Sequence, residues 1–341
     1  MSTTILTVEC LVAITLVEVA IAAYFLQLGS HWAKVGRVGF FRAVWAILAA
    51  SIVSWVATRL LHQVPAGGVG RTVLIAILQL AIMLGLTWLV IARVIKTSFW
   101  RAAWAWTATL IPAVANAVLV FCVVQPYMFE KFTTPTNAMA PTLLGRHWQG
   151  TCPRCGSPTY ATPEPNDHPD VARPVRMICG KEFQACEVID PPRTEFAEDG
   201  FLVNKLIKPR RWDIIVFQYP GNPSVKYCSR LVGLPGETVT IQDGSVWIDG
   251  KRQSPPAECK GVKYLDKIGG LPGALWGNSV APAPLGSEEY FVLGDFSANA
   301  YDSRIWRTGA PGHPPYAVPE SYIVGVVTHI YWPPSRWRVL R

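Results

Sequence analysis

Long apolar runs fill the first part of the chain, and short apolar bursts between turn residues fill the rest. Thr4 to Leu28 is apolar apart from Glu9 and Glu18, whereas Ala43 to Thr58, Thr72 to Ala92 and Ala102 to Phe129 carry no charge. A bilayer core takes about 20 apolar residues as a helix, so the pattern predicts four transmembrane α-helices, the second being the shortest. Arg42 and Arg59 bound that second run with stems long enough to snorkel towards the interface. Trp32, Trp100, Trp104 and Tyr127 stand at span borders, where an aromatic belt lies.

From Trp212 onward the pattern changes to strands. Asp213 to Phe217, ended by Pro220-Gly221, reads as one and Val225 to Val232 as another. Thr238 to Ile241 and Val246 to Ile248 flank Asp243-Gly244, a hairpin signal. Tyr290 to Leu293 and Tyr322 to Tyr331 supply two more. Lys251 to Gly286, rich in Pro and Gly, reads as a surface excursion. No long 3.6-residue period interrupts these runs, so the fold class is mixed: four N-terminal transmembrane helices, then a mainly β domain. The expected boundaries are 1–129 for the membrane anchor and 130–341 for the water-exposed domain, with a cysteine-rich insert at 146–200.

Composition fits this division, with 50% hydrophobic and only 16% charged residues. The net charge of +8 raises nucleic acid as a partner, but the Lys and Arg are scattered, with no basic stretch interleaved with aromatics. The expectation is no nucleic acid. The basic residues instead set orientation: Lys34, Arg37 and Arg42 in the first loop and Arg93, Lys96 and Arg101 in the third outnumber Arg59 and Arg71 in the second. That places the C-terminal domain on the extracytoplasmic side of a multi-pass protein embedded in membrane lipid. No cleavable secretion signal is expected, because a positive n-region is missing and the first apolar run is too long. Glu18, costly inside a span, reads as a protonated carboxyl bonded between helices, or else as a proton or partner-helix site.

Cys152-Pro-Arg-Cys155-Gly opens a Pro-rich polar stretch that Cys179 and Cys186 close. Two cysteine pairs are the usual supply for a tetrahedral structural zinc, although the second pair is spaced by six residues. Two disulfides or free thiols are the other readings. None is catalytic, since four thiolates leave no open coordination position. Cys10 and Cys122 read as packing residues in spans, and nothing marks Cys228 or Cys259 as reactive.

Pro135-Thr-Asn-Ala-Met-Ala-Pro-Thr-Leu143 follows directly on the last apolar run. It resembles the active-site box of type I signal peptidases, Pro-Ser-Gly-Ser-Met-x-Pro-Thr-Leu. Arg211 to Phe217, Tyr227 to Glu237, Gly294 to Arg304 and Val318 to Gly325 are similar, in order, to that family's remaining boxes. The resemblance implies a Ser–Lys endopeptidase fold that removes signal peptides from preproteins, with no cofactor in catalysis. Carried over position by position, the nucleophile becomes Ala138, the lysine general base Ser229, the residue orienting that lysine Ala300, and the oxyanion-assisting hydroxyl Thr136. The frame residues Pro135, Met139, Pro141, Gly233, Pro235, Gly236, Asp302 and Arg304 match, and Asp302 with Arg304 suggests a local ion pair. Lys226, three residues from Ser229, should point to the opposite face of its strand. The expectation is therefore a catalytically degenerate homologue that binds signal peptides or preproteins. An active peptidase using substituted residues, and a membrane interaction scaffold, are the alternatives.

Overall fold

The computed structural model describes residues 2–61, 69–163, 174–267 and 275–341, with side chains described outside 2–14 and 60–75. Glu9, Cys10 and Arg71 thus lie outside the described side chains. The chain divides into two compact units, Met1–Cys122 and Val123–Arg341.

The first unit is helical: α1 (Ser2–Trp32), α2 (Phe40–Leu61), α3 (Val69–Ile95), α4 (Phe99–Thr107) and α5 (Leu110–Leu119), with a π-helical stretch at Val120–Met128. The fourth apolar run is therefore broken. Pro112 lacks an N–H, and its ring clashes with the carbonyl four residues back, so α4 ends at Thr107 and α5 starts afresh. Among the described residues, Phe40–Arg59, Ala76–Ile95 and Phe99–Met128 are long and apolar enough to cross a membrane. Small residues let the helices approach: Ala23, Ala43, Ala46, Ala50, Ala92, Ala102 and Ala105 are buried between them. The Ser54 and Thr87 hydroxyls share a 3.0 Å hydrogen bond between α2 and α3. Glu18, expected above to be bonded between helices, instead has its side chain exposed on α1.

The second unit is mainly β. β1 (Phe129–Thr133) precedes an insert of five short strands: β2 (His147–Thr151), β3 (Pro158–Ala161), β4 (Pro174–Cys179), β5 (Ala185–Ile189) and β6 (Glu195–Phe196). The chain returns through β7 (Gly200–Asn204), β8 (Ile214–Tyr219) and β9 (Asn222–Gly233). It continues as β10 (Thr238–Gln242), β11 (Ser245–Ile248), β12 (Lys251–Arg252), β13 (Ala283–Pro284), β14 (Glu289–Leu293), β15 (Val318–Pro319), β16 (Ile323–Trp332) and β17 (Arg338–Val339). The large sheet runs β1-β7-β16-β8-β9-β14-β15, with β17 on β16; β10 to β13 and β2 to β6 form two smaller sheets.

The apolar run Ile214 to Phe217 is buried on both faces because successive side chains point opposite ways. Ile214 and Val216 join Met139, Leu143 and Phe201 in one core, while Ile215 and Phe217 join Leu231, Val292 and Trp306 in another. The expected hairpin is a tight two-residue turn, with positive φ at both Asp243 (50°) and Gly244 (76°), as a type I′ turn requires.

Candidate substrate cleft and cysteine cluster

The loop 134–145 lies across one face of the large sheet, anchored by Met139 and Leu143 in the core. Asn137, fully buried, ties the loop to itself: its Nδ2 donates to the Arg146 carbonyl (2.7 Å) and to Thr162 Oγ1 (3.1 Å), and its Oδ1 accepts from the Gly145 N–H (2.9 Å). Asp295, also fully buried, joins three distant stretches. It accepts from Thr142 Oγ1 at 2.5 Å and from Arg230 Nε and Nη2 at 2.6 and 2.5 Å. Asp302 and Arg304 form a buried bidentate pair at 2.9 and 2.7 Å, and Asp302 also accepts from the Gly294 N–H at 3.0 Å. Neither lines the cleft described next; they hold Gly294 behind it.

A cleft of about 460 Å³ opens beside this loop. Thr136, Ala138, Ser229 and Ala300, which stand up to 164 positions apart (136 to 300), all border it. Ser229 and Ala300 are buried, Ala138 half-buried and Thr136 exposed. Phe132, Met139, Val216, Val225, Tyr227 and Tyr301 add apolar wall, and among the described residues no Asp, Glu or His lines it.

Lys226 also borders the cleft, on the strand that carries Ser229. Its ammonium donates to Glu130 Oε1 at 3.1 Å and sits 4.9 Å from the Phe132 ring centre. Burial opposes the charge on Glu130, but hydrogen bonds from Lys205 and Lys226 outweigh it and hold the carboxyl below its usual range. Cys228 lines the cleft too, and burial, helped by the nearby Asp295 carboxylate, pushes its thiol well up. A thiol in that state is a poor nucleophile.

The insert reaches the cleft at one residue. Thr162 borders the cleft, and Ile178 of β4 packs with Ala140, Leu144 and Phe296. At its far end Cys152, Cys155 and Cys179 gather with their sulfurs all within 4.8 Å of one another. Cys186 stands nearby on β5, outside that three-sulfur group. None of the four is joined in a disulfide. Cys259 is buried in a separate core.

A family model described as signal peptidase, peptidase S26, matches residues 182–332. Signal peptidase I of Rickettsia prowazekii is 30% identical over 213 residues, which is 56% of this chain and 70% of that protein. The chain belongs to the signal peptidase I family. Signal peptidase I of Leptolyngbya laminosa is 36% identical over 135 residues, 38% of this chain and 55% of that one. Signal peptidase I T of Bacillus subtilis is 32% identical over 137 residues, 40% and 64% respectively. The chain thus spans between half and two thirds of the length of these last two family members.

Asn137, Asp295 and Gly294 were within reach of sequence reasoning, since each lies inside or beside a box that resembles the family's. Their jobs were not, because each depends on partners brought in from other boxes.

Proposed function

We propose that this signal peptidase homologue has kept the substrate cleft and lost the reacting groups, so that it binds the extended ends of signal peptides without cutting them. The observation that carries this is the cleft lining: Ala138, Ser229 and Ala300 border it where a Ser–Lys protease needs a hydroxyl, an amine and an orienting hydroxyl. Ala138 and Ala300 have no group to attack with or to aim one. Among the described residues no carboxylate or imidazole lines the cleft, so none of them stands beside the Ser229 hydroxyl as a base. Lys226 is engaged with Glu130, whereas a lysine base needs its amine free of a counter-carboxylate.

The frame supports the other half of the reading. Arg230–Asp295 and Asp302–Arg304 are buried pairs; breaking such a pair strands a charge and costs roughly 3–5 kcal/mol. They brace the loop and Gly294 whether or not chemistry follows. An apolar cleft with small residues at its floor suits an extended chain with small side chains. In this reading the second unit faces the extracytoplasmic side, where preproteins emerge.

The test is binding by the full chain in detergent. A fluorescent peptide with alanines at the first and third positions before its cleavage site should raise anisotropy saturably and remain intact. Ala138→Trp, which fills the cleft, should weaken that binding at least tenfold. Equal binding by the filled variant would put the peptide elsewhere and overturn the reading.

A further inference from the structure

We infer that the insert carries a structural zinc held by the thiolates of Cys152, Cys155, Cys179 and Cys186, and that this zinc braces one wall of the cleft. The backbone makes the case, because two turns repeat each other almost bond for bond. In the first, the Cys152 N–H donates to the Ser157 carbonyl (2.8 Å), the Gly156 N–H donates to the Cys152 carbonyl (2.9 Å), and Gly156 has φ +70°. In the second, the Cys179 N–H donates to the Gln184 carbonyl (3.0 Å), the Phe183 N–H donates to the Cys179 carbonyl (3.0 Å), and Phe183 has φ +55°. Each turn starts on a cysteine and reaches positive φ four residues later. Glycine adopts that φ freely; Phe183 adopts it at a steric cost, so the second turn is held against its own sequence.

The second turn also aims a backbone donor at sulfur: the Glu182 N–H donates to the Cys179 sulfur at 3.4 Å. Outer hydrogen bonds of this kind orient a metal-ligating sulfur. Sulfurs at 2.3 Å from one zinc stand about 3.8 Å apart. The Cys155 and Cys179 sulfurs are 3.4 Å apart, and the three-sulfur group lies within 4.8 Å.

The repeat also explains the odd spacing of the second pair. Where the first turn has Cys155, three residues after its leading cysteine, the second has Glu182. That carboxylate is turned to Arg154, 3.2 Å away. Cys186 instead comes in from β5, directly beside Met177 of β4. The fourth ligand is thus supplied by the neighbouring strand and not by the turn.

The link to the cleft is short. Gly180 donates to the Pro158 carbonyl at 2.8 Å, joining the second turn to the start of β3. Ile178, next to Cys179, packs under Leu144 and Ala140. Thr162, just past β3, holds Asn137 and lines the cleft.

The full chain, purified in detergent without chelator, should carry one zinc per molecule by elemental mass spectrometry. It should also resist thiol alkylation at all four cysteines until zinc is removed. Cobalt replacement should give the intense sulfur-to-metal absorption of a four-thiolate tetrahedral site. Cys179→Ser should abolish metal binding and Cys186→Ser should weaken it at least tenfold, while Glu182→Gln and Cys122→Ser leave it unchanged. Zinc removal from the unmodified chain should also loosen the wall, read as faster amide exchange in residues 137–145. Metal-free protein with two disulfides, or with four freely alkylated thiols, would overturn the inference. Loss of metal in Glu182→Gln but not in Cys186→Ser would overturn the ligand assignment. These readouts need no peptidase activity or peptide binding, so they stand apart from the proposed function.

Discussion

A Cβ on Gly294 would come within 2.3 Å of the Ala300 Cβ and 2.7 Å of the Ala138 carbonyl oxygen. The residue therefore fixes how closely Ala138 and Ala300 approach, and its own N–H is held by Asp302. Gly294→Ala should destabilise the chain by about 1–3 kcal/mol, the usual cost of overpacking, and should weaken peptide binding by prying the cleft floor apart. A thermal unfolding midpoint equal to that of the unmodified protein would show that the floor has slack. At this scale the sequence was legible where partners are local: Asp302 and Arg304, two positions apart, were expected to pair and do. It was silent where partners are remote, since Asp295 meets Arg230 and Thr142 across 65 and 153 positions. Lys226 belongs between the two cases. Alternation said it should turn from Ser229, yet both residues border the cleft, and only the structure could supply Glu130 as its partner.

Among the elements, the hairpin around Asp243-Gly244 and the strands at 214–219, 222–233 and 323–332 were readable from apolar runs and turn residues. The strands β1 and β7 were not. β1 is a mixed Phe-Glu-Lys-Phe-Thr at the tail of a membrane run, and β7 is only five residues long. The insert hid its strands behind a Pro-rich composition. Pairing between them, β4 to β5 and β3 to β4 above all, is what makes them a sheet.

His147 on β2 shows how that sheet is packed. It stacks on Phe196 at 5.5 Å and meets Tyr160 edge-on at 5.5 Å. Burial lowers its pKa below the ordinary 6.5, against a smaller opposing push from its hydrogen bond to the Gly145 carbonyl. The unfolded chain therefore takes up this proton first. The stability concerned is fully present above pH 6.5 and declines as pH falls through the lowered folded value. The unmodified protein should lose more unfolding temperature than His147→Phe between about pH 8 and 5. Parallel pH profiles for the two proteins would contradict this.

For the molecule as a whole, the account rests on a contrast between an intact frame and an absent reacting unit. Removing a nucleophile or its base from a serine protease costs on the order of a million-fold in turnover, and the losses do not add. Ala138→Ser alone supplies a hydroxyl with nothing to deprotonate it, and Ser229→Lys alone supplies an amine with nothing to activate. Together they restore a pair. The burial of Ser229, 5% exposed, would desolvate a lysine there and lower its pKa, as a general base requires. Ala300→Ser would add the hydroxyl that aims the amine. The decisive measurement is cleavage of a model preprotein, read by gel and by mass of the product, for the unmodified chain and for the triple variant Ala138→Ser, Ser229→Lys, Ala300→Ser. The account predicts no product from the unmodified chain and a single cut at the signal-peptide junction from the triple variant. A single cut at that junction by the unmodified chain, abolished by Thr136→Val or Ser229→Ala, would contradict it.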